Sequence, residues 1–190
     1  MKLELDGGYS VSDLLPSDRA ALLAHLQERE IYEHTLNMPY PYRESDADRW
    51  FAQVANEVKT HGRSVNWAIR APDGFYIGGI GMHGLAAAHS HRAELGYWLA
   101  KPYWGRGLGT AAVRRVTDFA FDDFGLVRIT ATVFHFNARS ARVLEKAGFA
   151  LEGRLRNHYK KDGRVFDGLL YARVPASRPE RPRPVALEQG

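Results

Sequence analysis

Cysteine is absent from this 190-residue sequence. That excludes disulfides, thiolate metal sites and any cysteine acyl-enzyme. No apolar run reaches the roughly 18 residues that would suggest a membrane span. The first residues show no basic segment followed by an apolar core, so no signal peptide is expected and a cytoplasmic location is. Internal repeats are lacking too. The excess of positive charge is small, a formal +4 with a pI of 9.4. Its arginines are dispersed, with no basic helix and no RNA-binding signature, which argues against direct nucleic-acid binding. Such a charge suits a polyanionic small molecule. His83, His89 and His91 have no carboxylate or cysteine at ligand spacing, so no metal is expected.

What the chain does have is the means to fold. Apolar residues make up 45% and aromatics 12%, enough for a packed core and too much for a disordered chain. One domain is expected over residues 1–174. Residues 175–190, with Pro175, Pro179, Pro182, Pro184 and three arginines, read as a flexible tail.

The most informative stretch is Trp104-Gly105-Arg106-Gly107-Leu108-Gly109-Thr110. It lies between an apolar run (95–99) and a helix-like run (111–124). Alternate glycines permit positive φ and a close approach of backbone N–H groups to a ligand. A helix opening at once afterwards adds unpaired donors and the positive end of its dipole, an arrangement suited to phosphate. The same residues also suit a plain strand-to-helix turn.

Elsewhere, residues 9–15 read as a first strand and Pro16-Ser17-Asp18 opens a helix running to Arg29 or Glu30. Ser45 or Asp46 caps a second helix carrying Trp50, Phe51, Val54, Ala55 and Val58 on one face. Between them Asn37-Met38-Pro39-Tyr40-Pro41-Tyr42 is barred from a helix by its prolines. This loop suits either a pocket wall or packing on the sheet. Residues 65–70 and 76–82 form a hairpin around Ala71-Pro72-Asp73-Gly74, and 86–91 read as a loop. Residues 93–99 and 128–134 read as strands. Asn137 caps a helix that ends at Gly148. A last hairpin joins 149–159 to 165–174 around Lys161-Asp162-Gly163.

A Walker A loop requires Gly-Lys-Ser/Thr, and no lysine follows Gly109. A dinucleotide fingerprint requires Gly-x-Gly-x-x-Gly and an acidic residue ending the next strand, where this chain has Phe134-His135-Phe136. Both fail. Three ordered segments remain: Glu94-Leu95-Gly96-Tyr97-Trp98-Leu99, the glycine stretch led by Trp104, and the run from Asn137 to Phe149. In these the chain resembles the GNAT N-acetyltransferases, and more closely the ribosomal-protein N-terminal acetyltransferases of RimJ/RimL type. Trp104 departs from the Gln or Arg usual in the wider family and matches that branch.

The resemblance implies an α/β fold: a twisted, mostly antiparallel sheet of about seven strands, flanked by helices, with two central parallel strands (93–99 and 128–134) splayed to admit acetyl-CoA. It implies that backbone groups around Tyr97, Trp98 and Leu99 pair with the pantetheine arm. N–H groups of Gly105, Arg106, Gly107, Leu108, Gly109 and Thr110 then hold the pyrophosphate. Asn137 contacts pantetheine and Ser140 lies near the thioester sulfur. Arg106, Arg139, Arg142 and Lys146 are candidates for the 3′-phosphate.

Without cysteine, direct attack of a neutral amine on the thioester is the simplest route. A peptide α-amine, with pKa about 8, is more readily neutral at pH 7 than a lysine near 10.4. Glu94 is the candidate base, directly or through water, on the expectation of partial burial. Its alternative role is an ion pair with Arg92. Ser140 is the candidate donor to the leaving sulfur, or a local cap; Tyr97 and Tyr171 carry hydroxyls that could donate instead, although buried tyrosines usually pack in cores. The preferred acceptor is the α-amine of a protein or peptide, with an amino acid, polyamine or antibiotic amine as second choice and a non-catalytic CoA-binding module as third. The acceptor wall is expected from residues 32–42 and 159–167. Oligomeric state stays open, a homodimer being compatible with the sequence.

Overall fold

A computed structural model describes residues 1–85 and 90–176. The chain order is β1 (Lys2–Glu4), β2 (Ser10–Asp13), α1 (Arg19–His25), α2 (Arg29–Glu33), α3 (Glu44–His61), β3 (Asn66–Arg70), β4 (Tyr76–His83) and β5 (Arg92–Leu99). Next come α4 (Leu108–Phe124), β6 (Arg128–Phe134), α5 (Ala138–Lys146), β7 (Ala150–Lys161) and β8 (Arg164–Arg173). One sheet contains all eight strands in the order β1-β2-β3-β4-β5-β6-β8-β7. Every neighbouring pair is antiparallel except β5 and β6.

The sheet has eight strands where about seven were expected. β1 is a three-residue edge strand with only Leu3 buried, too short to show a period. The first helix is also shorter than expected. It ends at His25, and Glu28 in extended conformation accepts from the N–H of Glu30 to start α2. α3 begins at Glu44, with Asp46 Oδ2 accepting the N–H of Arg43 at 2.8 Å. Asp46 therefore caps from inside the first turn. The expected loop over 86–91 falls partly, and the tail from 177 wholly, outside the described residues.

Side chains alternate across strands, so the sheet carries two cores. On one face α4 and α5 pack Leu108, Ala112, Val113, Val116, Ala120 and Leu144 against Ile69, Leu95, Ile129 and Val133. The α4 residues recur every three to four positions, the apolar stripe of a helix lying on a sheet. On the other face α1–α3 pack Leu22, Leu26, Ile31, Tyr42 and Ala47 against Ala68 and Tyr76, with Trp98 alongside. Each fully buried Leu, Ile or Val contributes about 1.5–3 kcal/mol.

A buried ion pair ties the second layer to the sheet. Arg70 and Asp18, 8% and 4% exposed, form two parallel bonds of 2.8 Å. Arg70 also donates to Ser12 Oγ and to the carbonyls of Asp13 and Gly74.

Candidate active site

The site begins where β5 and β6 part. They pair only at Arg92–Arg128, Ala93–Ile129 and Glu94–Thr130, and beyond Glu94 the ladder stops. The far half of β5 keeps its pairing with β4 through Leu99. β6 likewise stays paired with β8 through Phe134. A wedge-shaped opening therefore lies between residues 95–99 and 131–134. Alternate residues of a strand direct their backbone groups to opposite neighbours. The N–H of Ala100 donates to Ile77 at 2.8 Å, so Trp98 and Gly96 face β4 while the backbone of Tyr97 and Leu99 faces the opening. The Leu99 carbonyl accepts the Trp104 indole N–H at 2.6 Å.

Two cavities meet in this wedge. One, of about 620 Å³, runs past Leu99, Trp104, Gly105, Gly107, Leu108, Gly109 and Thr110 to Arg142 and Lys146. The other, of about 590 Å³, lies between the sheet and the α1–α3 layer and reaches Phe134 and Tyr159. His34, Thr35, Tyr97, Trp98, Asn137 and Ser140 line both.

The glycine turn has the geometry its composition suggested. Gly105 and Gly107 have φ of +74° and +79°, and Gly107 is the N-cap of α4 without a side-chain bond there. A Cβ on either would meet nothing within 4 Å, so it is backbone conformation that selects glycine. Of the residues expected to hold a cofactor, Arg106 alone does not line the cavity. Its guanidinium lies over the Tyr103 ring, 5.6 Å from the centroid. Arg139, Arg142 and Lys146 do line it. Arg139 donates to Glu30 at 2.5 Å and lies over the Trp104 ring. Lys101 pairs with the same carboxylate at 3.1 Å. Arg139 first, then Lys101, holds the Glu30 carboxyl below its usual range.

At the junction the Tyr97 hydroxyl lies 2.7 Å from Ser140 Oγ and 3.2 Å from the Ser140 carbonyl. Burial pushes the Tyr97 phenol up to about 12, against a smaller downward pull from Ser140. It is therefore a protonated donor at neutral pH. Asn137 Oδ1 accepts the N–H of Ser140 at 3.1 Å, which caps α5 and fixes the first turn that carries the serine. Capping and site geometry are the same contact here.

Glu94 is exposed, which corrects the expected partial burial. It sits on the last rung before the opening, paired across to His83, while the α1–α3 layer covers the Trp98 end of this strand face. Its negative charge still reaches Tyr159, whose phenol is raised mainly by burial. No ion pair joins Glu94 to Arg92 among the described residues. Tyr171 is not at the junction; it is buried and donates to Glu145 at 3.0 Å.

The second cavity's wall is broader than expected. Met38, Pro39 and Tyr42 of the proline loop line it, as does Tyr159. Leu22 of α1, Leu26 just past its end, Trp50 and Gln53 of α3, and Asn66, Gly79 and Gly81 of the sheet also line it. The tip of the β7–β8 hairpin clamps the α2 end of this wall. Tyr32 donates to Asp162 at 2.5 Å, and Lys161 Nζ donates to the carbonyls of Tyr32 and Thr35. Desolvation lowers the Lys161 ammonium. Of His83, His89 and His91, His83 lines this cavity and His89 lies outside the described residues.

The acetyltransferase (GNAT) domain family matches residues 12–150. The chain belongs to the GNAT acetyltransferase family. It is 38% identical over 113 residues to the uncharacterised N-acetyltransferase YoaA of Bacillus subtilis, spanning 59% of this chain and 63% of that protein. With the L-amino acid N-acetyltransferase AaaT of Escherichia coli it shares 27% identity over 146 residues, 76% of this chain and 85% of that one. The structure of Mycobacterium smegmatis RimJ in complex with CoA-disulfide superposes with a TM-score of 0.80 at 26% identity, covering 92% and 86% of the two chains. Among the described residues no helix is long and apolar enough to cross a membrane.

Proposed function

We propose that residues 1–174 form an acetyl-CoA-dependent N-acetyltransferase whose preferred acceptor is the N-terminal α-amine of a protein or peptide. The meeting of two cavities at Tyr97 and Ser140, inside a sheet opened after Glu94, carries this reading. Acetyl-CoA lies in the first cavity: pyrophosphate on the N–H groups of Gly105 and of residues 107–110, pantetheine along Tyr97 and Leu99, with Trp98 and Asn137 at its inner end. Arg139, Arg142 and Lys146 supply positive charge for the remaining phosphate. The amine enters from the second cavity and attacks the thioester carbonyl. Ser140, itself bonded to Tyr97, donates to the sulfur as charge develops there. Glu94 takes the amine's proton through water. An amino acid acceptor is the second reading, and it rests on the likeness to AaaT.

A screen of peptides and small amines, followed by thiol release, tests the activity, while calorimetry with acetyl-CoA tests the cofactor assignment. Failure to bind acetyl-CoA ends this reading. A protein that binds it and acetylates no amine is a binding module.

Two variants probe the parts. Gly107→Ala places a Cβ at a φ of +79°, which costs about 1–2 kcal/mol. If the cradle must shift to relieve that strain, acetyl-CoA affinity falls about ten-fold, read by calorimetry. Glu94→Gln is expected to lower kcat/KM about ten-fold at unchanged acetyl-CoA affinity, a modest effect for a base because the carboxylate is exposed. An unchanged kcat/KM removes Glu94 from the role.

A further inference from the structure

The second cavity has a chemical preference of its own; its assignment to an acceptor rests on the acetyltransferase reading of the site. Its inner wall is apolar: Leu22, Leu26, Met38, Tyr42, Trp50 and Trp98. Leu22, Leu26 and Tyr42 are buried in the α1–α3 core, so this wall is fixed by packing.

Charge is scarce along it. Among the described lining residues the one carboxylate is Asp46 and the one guanidinium is Arg49, and they bond to each other. Asp46 also accepts the N–H of Arg43. A polyamine requires several unsatisfied carboxylates, and a free amino acid requires a cation for its own carboxylate. This wall has no cluster of carboxylates, and its one guanidinium is largely exposed and already bonded to Asp46. A peptide presents a neutral amide after its first residue and requires neither.

The floor is made by missing side chains. A Cβ on Gly79 would stand 2.9 Å from the Trp98 indole nitrogen, and one on Gly81 only 1.9 Å from Asn66 Oδ1. Trp98 and Asn66 therefore occupy the space above these glycines that a side chain would fill. The Asn66 amide nitrogen is engaged by Glu57, which aims its oxygen over Gly81. The floor so presents an acceptor in Asn66 Oδ1 and a donor in the Trp98 N–H, with the His83 ring over Gly96 beside them. A primary amine and a peptide carbonyl call for that pair.

We propose that this cavity receives the first side chain of a polypeptide acceptor and selects a large apolar one, such as Leu, Met or Phe. Burying such a side chain in place of alanine favours it by at least about ten-fold. The test uses the full chain with CoA bound and peptides differing only in the first residue. Binding is followed by calorimetry; transfer from acetyl-CoA is followed in parallel by thiol release.

Leu-first and Phe-first peptides are expected to bind at least about ten-fold more tightly than Ala-first or Ser-first ones, with free leucine and spermidine weaker still. Trp50→Ala, on a partly buried wall position, should shrink the Leu-over-Ala ratio while leaving acetyl-CoA affinity unchanged. Equal or tighter binding of Ala-first peptide, of leucine or of spermidine overturns the proposal. So does a Leu-over-Ala ratio that Trp50→Ala leaves intact. Selective binding of apolar peptides without thiol release upholds the cavity's preference and overturns the transferase reading instead.

Discussion

Replacing Ser140 by alanine is expected to lower kcat by about 10²–10³, the usual loss when a donor to developing charge is removed. Acetyl-CoA affinity should hardly move. The reason lies in when the hydroxyl matters: sulfur carries little charge in the bound thioester and much more as the C–S bond breaks, so the bond strengthens toward the transition state. Tyr97 sits behind it at 2.7 Å. A phenol pushed up to about 12 keeps its proton across neutral and mildly alkaline pH. It can donate to Ser140 Oγ while the serine donates onward. Tyr97→Phe should therefore cost less than Ser140→Ala, and the double variant little more than Ser140→Ala alone, because the two act as one chain. Steady-state kinetics with a good acceptor, paired with calorimetry for acetyl-CoA, decides it. If Ser140→Ala keeps full kcat, the serine is only a helix-turn residue and the sulfur is served from elsewhere.

The second large effect is on stability. Arg70→Met should destabilise the fold by about 3–5 kcal/mol, read from urea unfolding. It removes one partner of a buried pair and leaves the Asp18 carboxylate, 4% exposed, without its guanidinium. It also strips the donors now serving Ser12, Asp13 and Gly74. Exchanging both partners for apolar residues, Arg70→Met with Asp18→Leu, should restore part of the loss, since the penalty comes chiefly from the orphaned charge. The pair joins the turn before α1 to the sheet, so the wall of the second cavity should loosen with it. A single variant within about 1 kcal/mol of the parent excludes this account.

How far these features were legible depended on the range of the contact. Gly105 and Gly107 declared themselves because positive φ is a local demand that only certain residues meet. Asn137 declared itself as a cap because its partner lies three residues on. The strands 93–99 and 128–134 showed in their β-branched and aromatic content. The short edge strand Lys2–Glu4 did not, since three residues cannot establish an alternation. Arg70 and Asp18 are 52 residues apart, Tyr97 and Ser140 43 apart, and nothing local marks either pair. Glu94 shows the converse failure: its strand was legible, but exposure depends on which helices cover that face, and they cover the other end.

By itself the sequence determined most of the elements, the glycine turn poised at a helix start, the absence of thiol chemistry, and through its ordered motifs the family. Those depend on backbone conformation and on residue chemistry, both carried locally. Only the tertiary structure decided that β5 and β6 part after Glu94, that Ser140 and Tyr97 meet there, and that α1 and α3 help wall the second cavity with apolar residues. These are matters of packing between distant segments. A cavity is the space that packing leaves, and no single stretch of chain encodes it.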